Sequence, residues 1–235
     1  MVKLPQKFLN WNYFPRRKLI QNILENKIEN PAKFFLEFTR HNPTLCTAAE
    51  VNGKIIVNGK IVGIGYVPLK ERIPECLRIF REHIKISDEK YEKVKGNRKE
   101  LQKLYREHAD RGLRLLLDHI YVSEDKAFET IDFEKMATIE LAKRLPQSSK
   151  HTWDLIQKNK YVCLVFFQPP SISYEIRGVA EIREEGDYHE IVNLIHDCYH
   201  YTPPDARKDR PVYLINVLEV YDNSASPSGF GTKIA

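Results

Sequence analysis

Two Asn-Gly pairs in the N-terminal third of the chain constrain its fold more than any other feature. Residues 44–51 (TLCTAAEV) are rich in small and β-branched side chains and lead directly into Asn52-Gly53. A second pair, Asn58-Gly59, separates KIIV from KIVGIGYV. Asn-Gly favours the two-residue type I′ turn that joins antiparallel strands. The sequence therefore predicts a meander of three short strands.

A highly charged segment follows these strands and has helical periodicity. Its stripe of mostly apolar side chains recurs at spacings near three, four and seven, and consists of Val94, Leu101, Leu104, His108 and Leu115. Such spacing indicates helices with one buried stripe and an otherwise solvated surface. We expect a helix N-cap at Ser87 and a break or a close packing point at Gly112.

Strand character returns in the C-terminal half, in MATIELAKRL, YVCLVFF, ISYEIRGVAEIRE and PVYLINVLEVYD. YVCLVFF is apolar on both faces, which predicts a strand buried on both sides. A helix is expected over GDYHEIVNLIHDCYHY, with a buried stripe formed by Ile191, Leu194, Ile195 and Cys198. The tail, residues 223–235, has the composition of a loop and is expected to order only against a partner.

The order of these segments predicts an α+β, mainly β fold built around a small antiparallel barrel. Residues 1–67 would supply an N-terminal helix and the first barrel strands. Residues 68–135 would form a helical insertion. Residues 136–235 would complete the barrel, with a C-terminal helix and a closing strand.

A polar turn, Ser148-Ser149-Lys150, lies directly before a short amphipathic segment that begins at His151. The start of a helix carries partial positive charge, so basic residues there cost roughly 0.3–1 kcal/mol each unless an anion binds. A phosphate held by Lys150 and the backbone N–H groups would remove this conflict. The other interpretation is a solvated lysine on a turn.

Composition limits the classes of protein to consider. The chain has 235 residues, a net charge of +5 and a pI near 8.9, so anionic ligands and nucleic acid both remain open. Its four cysteines are far apart and contain no CxxC pair, which argues against a zinc ribbon and is typical of reduced cytoplasmic thiols. No apolar run has the length of a membrane span, so no membrane partner is expected.

Residues 136–185 resemble the FMN-binding split-barrel family typified by pyridoxamine 5′-phosphate oxidase. The matching features are the Ser148-Ser149-Lys150 turn, the helix HTWDLIQKN, the strand VCLVFF and the strand EIRGVAEI with Gly178. TLCTAAEV with Asn52-Gly53 is similar to the first strand and turn of that barrel. The resemblance implies an antiparallel split β-barrel with a helical insertion and flanking helices.

The resemblance also implies a function, a cofactor and a set of binding residues. Arg144, Ser148, Ser149 and Lys150 would hold the phosphate of FMN, and FAD, a deazaflavin or haem are alternative cofactors. The protein would be a cytoplasmic homodimer and an FMN-dependent oxidoreductase acting on a small organic substrate. No residue is singled out as a catalytic acid or base, because flavin chemistry can require positioning alone.

Two further interpretations remain. His196 and His200 are four residues apart and His189 lies nearby, but without an HExxH motif a metal site is not favoured. In haem-binding split barrels, one such histidine could be an axial ligand. The alternative function is a non-enzymatic nucleic-acid or protein-binding module that uses the charged helical insertion, although glutamates are interspersed among its basic residues.

Overall fold

The hairpin expected at Asn52-Gly53 begins a seven-stranded antiparallel sheet in the computed structural model, which describes residues 1–28, 30–141, 151–207 and 210–235. Asn52 and Gly53 have φ angles of 53° and 74°, as a type I′ turn requires. The strands are β1 (Thr44–Val51), β2 (Lys54–Ile61), β3 (Lys135–Ile139), β4 (Tyr161–Gln168), β5 (Ile172–Arg183), β6 (Val212–Asp222) and β7 (Thr232–Lys233).

The second Asn-Gly pair is not a turn, so the predicted three-strand meander is wrong. Asn58 and Gly59 lie within β2, where they pair with Thr47 and Cys46 of β1. The ladder with β1 continues on both sides of this dipeptide, and the Asn58 side chain donates a hydrogen bond to Thr152 Oγ1 at 2.8 Å. Continuous pairing with β1 and the contact with Thr152 thus outweigh the turn preference of this Asn-Gly pair.

The expected antiparallel barrel is present only in part: in the described part of the chain the antiparallel sheet is not closed into a barrel. The strand order is β2-β1-β4-β5-β6-β3, with β7 added to β6. Gly65 and Ala137 exchange two backbone hydrogen bonds of 2.8 and 2.9 Å, which brings the segment after β2 towards β3. However, Val62 N and Ile64 N donate to Pro43 O and His41 O, so no continuous ladder forms with β3. The sheet therefore curls without closing.

Helices flank the sheet. They are α1 (Gln6–Trp11), α2 (Phe14–Leu24), α3 (Pro31–Phe38), α4 (Ile73–Val94), α5 (Arg98–His119), α6 (Glu124–Ala127), α7 (His151–Lys158) and α8 (Asp187–Tyr199). The charged segment forms the long helices α4 and α5, which pack against each other and against α8. None of the helices in the described ranges has the length and apolar composition needed to cross a bilayer.

The core lies between the sheet and the helices, and residues of α1, α4, α5 and α8 belong to one cluster. Phe8 of α1 packs against Phe166 and Tyr174, with ring centroids 5.2 and 5.3 Å apart. The C-terminal tail joins the sheet within the same chain: β7 pairs with β6, and Val220 N donates to Ala235 O at 3.0 Å. The expectation that the tail orders only against a partner is therefore wrong, because the edge of β6 supplies its hydrogen bonds.

Strand β4 is buried on only one face, contrary to the sequence prediction. Val162, Leu164 and Phe166 are buried, whereas Tyr161 and Phe167 on the opposite face are 67% and 63% exposed. In α8, Ile191 and Cys198 are buried as expected, while Leu194 and Ile195 are only half-buried.

Helices α5 and α8 approach most closely at Gly112, where a Cβ atom would overlap the carbonyl oxygen of Cys198. This confirms the expected close packing point. Ser87 is not an N-cap, since it lies inside α4. Its buried Oγ lies 2.7 Å from His108 Nδ1 and accepts a hydrogen bond from Arg111 Nη2 at 2.8 Å. Within the expected stripe, Leu104 and His108 are buried, and Val94, Leu101 and Leu115 are half-buried.

Two histidines are buried where α4, α5 and α8 meet. The rings of His83 and His108 are 4.3 Å apart between centroids, and His108 Nε2 lies 2.6 Å from Asp197 O. Burial, followed by the proximity of His83, lowers the pKa of His108 to about 4. His108 is therefore neutral in the folded protein at pH 7, and its two ring nitrogens are both used in hydrogen bonding.

The depressed pKa of His108 predicts acid sensitivity. Between pH 6.5 and 4 the unfolded chain binds a proton at His108 that the folded chain does not, so the free energy of unfolding should decrease as pH falls through this window. His108→Gln should reduce that slope by up to about 1.4 kcal/mol per pH unit. Urea titrations at several pH values measure the pH dependence of the free energy of unfolding. The control variant is His151→Gln, because His151 is exposed. An unchanged slope in His108→Gln would contradict the assignment.

The contact at Gly112 gives a second prediction. Gly112→Ala should lower the free energy of unfolding by about 3 kcal/mol, because α5 must move away from the backbone of α8. Gly96→Ala is the matched control, since a Cβ there meets no atom within 4 Å, and its effect should stay within about 0.5 kcal/mol. Equal denaturation midpoints for the two variants would show that the helices do not meet at Gly112.

Candidate functional site

The four residues expected to bind a phosphate, Arg144, Ser148, Ser149 and Lys150, lie outside the described residues. The helix that follows them, α7, is described from its first residue, His151. Its contacts with the sheet therefore locate the neighbourhood of the expected site.

Two asparagine side chains attach α7 to the β1–β2 hairpin. Near the start of the helix, Asn58 donates to the Thr152 hydroxyl at 2.8 Å, and Thr152 is buried. Just beyond its last residue, Asn159 donates to Ala48 O at 2.8 Å and accepts from Tyr161 N at 3.1 Å. Both ends of α7 are thus fixed relative to β1, and Asn159 also sets the entry into β4.

A polar network lies on the same side of the sheet as α7. Trp153 stacks on Tyr213, with ring centroids 6.3 Å apart, and the Tyr213 hydroxyl donates to Glu140 Oε2 at 2.9 Å. Lys60 Nζ lies 2.7 Å from Glu140 Oε1. Burial, followed by the proximity of Glu140, raises the pKa of Tyr213, so this phenol remains protonated. The network joins α7, β2 and β6 at the opening of the sheet.

The opposite side of β1, β2 and β4, which we call the outer face, carries a groove of about 890 Å³. Strand pairing places Gly59, Cys46 and Cys163 in one row across β2, β1 and β4. These small residues, together with Ala48, form a shallow floor bordered by Tyr161 and Arg177. We call this feature the outer groove. Asn58 and Asn159 also line it, so the two residues that hold α7 border the outer groove as well.

The thiols on the floor are neutral. Burial, followed by Glu175, raises the pKa of both Cys46 and Cys163, and the pKa of Cys163 reaches about 12. Thiolates are the nucleophilic form of cysteine, so neither side chain is activated for covalent catalysis. The floor is suited to packing against a ligand rather than to attacking one.

Charges on the outer face lie at one end of the groove and are largely paired. Arg177 Nε lies 2.6 Å from Glu175 Oε1, and Lys233 Nζ lies 2.9 Å from Glu219 Oε1. The Arg177 guanidinium also covers the Tyr221 ring, 4.6 Å from its centroid. Exposed pairs of this kind contribute little stability.

The histidines considered for a metal site have other contacts. His189 Nε2 lies 3.1 Å from Arg210 O, and His196 Nδ1 lies 3.0 Å from Asp197 Oδ1. Within the described ranges, no group of three or more His, Cys, Asp or Glu side chains is arranged to hold a metal ion.

The floor of the outer groove was not identified from the sequence. Its small residues come from three strands that are distant along the chain, and only strand pairing brings Cys46 beside Cys163. The available signal was the alternation in TLCTAAEV, where Cys46 and Ala48 fall on one face. The sequence of β4, which is apolar on both faces, was a second signal, because an apolar outer face indicates contact with a ligand or another protein surface.

Comparison with solved structures finds distant likenesses. The chain is similar to an F420 reductase (14% identity, 77% of this chain and 90% of that chain, TM-score 0.35). It is similar to HupZ of Group A Streptococcus (12% identity, 99% of each chain, TM-score 0.40). It is also similar to a pyridoxamine 5′-phosphate oxidase-like protein of Listeria innocua (13% identity, 88% of this chain and 97% of that chain, TM-score 0.35). No protein-family model and no curated protein matches the chain.

Proposed function

We propose that the chain binds FMN in the outer groove and is a flavin-dependent oxidoreductase acting on a small organic substrate. The observation that carries the proposal is the position of the groove: its small-residue floor is bordered by Asn58 and Asn159, which fix the two ends of α7. The phosphate-binding turn expected from the sequence directly precedes that helix.

The shape of the floor supports a planar ligand. Gly59, Cys46 and Cys163 occupy adjacent strands, so the row is about 10 Å wide and lacks large side chains. The groove volume of about 890 Å³ lies within the range for small-molecule and cofactor sites. An isoalloxazine ring would pack on this floor, with Tyr161 at one side.

The phosphate would lie at the start of α7. Lys150, Ser148, Ser149 and Arg144 supply cationic and hydroxyl groups, and the N–H groups of the first turn of α7 add further donors. Bound flavin would supply two-electron redox chemistry, while the chain orients the ring and limits access of water. The neutral thiols of Cys46 and Cys163 would contact the ring without acting as nucleophiles.

The proposal includes a homodimer formed through the outer face. Val57 and Ile61 are each 73% exposed, and Tyr161 and Phe167 extend the apolar surface across β4. A contiguous apolar surface of this kind is typical of an interaction site. A second copy of the chain would cover it and enclose the flavin between the two subunits.

The alternative function, nucleic-acid or protein binding through the charged helices, gains no specific support from the contacts of α4 and α5. Lys90 pairs with Glu107 at 2.9 Å, and Lys95 pairs with Glu92 at 2.8 Å. Part of the basic charge is therefore neutralised on the helices themselves. This function stays a prediction that salt-dependent binding of nucleic acid would test.

Lys150→Glu should weaken FMN binding at least tenfold, because a hydrogen bond to a charged group contributes about 1.5–3 kcal/mol. Ala48→Phe should also weaken binding, by occupying the floor of the groove. Quenching of flavin fluorescence during titration measures both affinities. Lys158→Glu is the control, since it makes the same charge change at the exposed last residue of α7.

The proposed site would be wrong if Lys150→Glu and Ala48→Phe, like the control Lys158→Glu, bound FMN as tightly as the wild type. If Ala48→Phe weakened FMN binding and Lys150→Glu did not, Lys150 would not belong to the binding site. Repeating the titration with riboflavin, which lacks the phosphate, isolates the contribution of the turn: Lys150→Glu should leave riboflavin affinity unchanged.

The homodimer gives a separate prediction. Val57→Lys together with Ile61→Lys should convert a dimer into a monomer, because both side chains lie on the outer face and the like charges buried there would be unpaired. Sedimentation analysis over a range of protein concentrations measures the change. The exposed Ile86 of α4 provides a matched control, Ile86→Lys, which should leave the dimer intact. A wild-type protein that sediments as a monomer at all concentrations would contradict this part of the proposal.

A further inference from the structure

A second cavity, of about 320 Å³, lies between α2, α5, α8 and the β3 end of the sheet. Among the described residues, none lines both this cavity and the outer groove. Its size is at the lower end of the range for small-molecule sites. We call it the helix-side cavity.

The walls of the helix-side cavity are mainly apolar. Ile20 of α2, Leu116 of α5 and Val192 and Ile195 of α8 contribute aliphatic surface, and Phe38 contributes an aromatic ring. Gly63 and Gly65 form part of the wall on the sheet side, where backbone rather than side chains bounds the space. Such a lining favours the apolar body of a ligand.

One permanently charged side chain, Arg16, lines this cavity among the described residues. Its Nη1 donates to Phe38 O at 3.2 Å, and its guanidinium lies 4.5 Å from the centroid of the Phe38 ring. It also approaches the Tyr121 hydroxyl. The Nε atom is buried and has no hydrogen-bond partner, and in the described ranges no carboxylate forms an ion pair with Arg16. A half-buried cation without a counter-charge is unfavourable unless a ligand supplies one.

Two histidines add hydrogen-bonding capacity near Arg16. The rings of His196 and His200 line the cavity with centroids 5.3 Å apart. Desolvation, followed by His196, lowers the pKa of His200, and Arg16 lowers it further. The carboxylate next to His196, Asp197, is buried and accepts hydrogen bonds of 2.8 and 2.7 Å from Arg210. It is therefore already neutralised.

We propose that the helix-side cavity binds a small amphipathic carboxylate. The apolar chain or ring of the ligand lies between α2, α5 and α8, and its carboxylate pairs with Arg16. No Asp or Glu is present among the described residues that line the cavity, so an anion meets no like charge there. The same charge distribution disfavours an amine, and a neutral alcohol leaves Arg16 without a counter-charge.

This inference does not depend on flavin binding, because the two sites are separate. A carboxylate bound here contacts α2, α5 and α8, and α8 also packs against β3 and β6. The ligand would therefore stabilise the packing of the helices on the sheet, and it would raise the thermal midpoint of the full chain.

The probe for the test is octanoate, compared with 1-octanol and octylamine, which have the same chain length and a neutral or positive head group. Titration calorimetry on the wild-type protein should show octanoate binding at least tenfold more tightly than either analogue, since the ion pair is made by the carboxylate alone. Octanoate that fails to bind, or that binds no better than octylamine, would overturn the proposal.

Variants locate the site. Arg16→Gln should weaken octanoate at least tenfold, and Ile195→Trp, which fills the cavity without changing the charge, should also abolish tight binding. Lys18→Gln, an exposed charge on the same helix, should bind as the wild type does. Circular dichroism checks that each variant is folded. Arg16→Lys keeps the positive charge and should therefore retain part of the affinity for octanoate. Binding that survives in both Arg16→Gln and Ile195→Trp would show that octanoate binds elsewhere, such as the outer face.

Discussion

The hydrogen bonds of Asn58 and Asn159 determine where α7 lies, and the account of function depends on that position. Asn58 holds the start of the helix to β2, and Asn159 connects its end to β1 and β4. The helix therefore covers one side of the β1–β2–β4 surface. The other side remains exposed, and its small residues form the outer groove. A ligand that reaches from that groove to the start of α7 would pass around β2, the edge strand of the sheet.

The sequence predicted those parts of the fold that depend on interactions between residues close together in the chain. The bounds of β1 and the type I′ turn at Asn52-Gly53 follow from composition and turn chemistry alone. The same dipeptide at positions 58–59 failed as a signal because pairing with β1 and the contact with Thr152 outweigh its turn preference. Ser87 failed as a cap for a similar reason: His108 and Arg111 supply partners for its hydroxyl inside the helix layer.

The two cavities could be predicted from the sequence only in part. A polar turn before a short helix indicated an anion site, but the floor of the outer groove requires Cys46 and Cys163 to meet across strands separated by more than a hundred residues. Arg16 of the helix-side cavity was part of a basic run in the sequence, and nothing in that run distinguishes it from Arg17. The difference is tertiary: Arg17 donates to Leu117 O and Tyr121 O, whereas Arg16 faces the cavity.

Flavin binding in the outer groove can be tested by the visible absorption spectrum of the freshly purified protein, repeated after incubation with FMN and removal of the unbound excess. We expect flavin bands that remain with the protein and are shifted from those of free FMN, because the ring would lie on an apolar floor. A Soret band would instead assign haem. A blank spectrum with no retained flavin would contradict the claim that the outer groove is a flavin site.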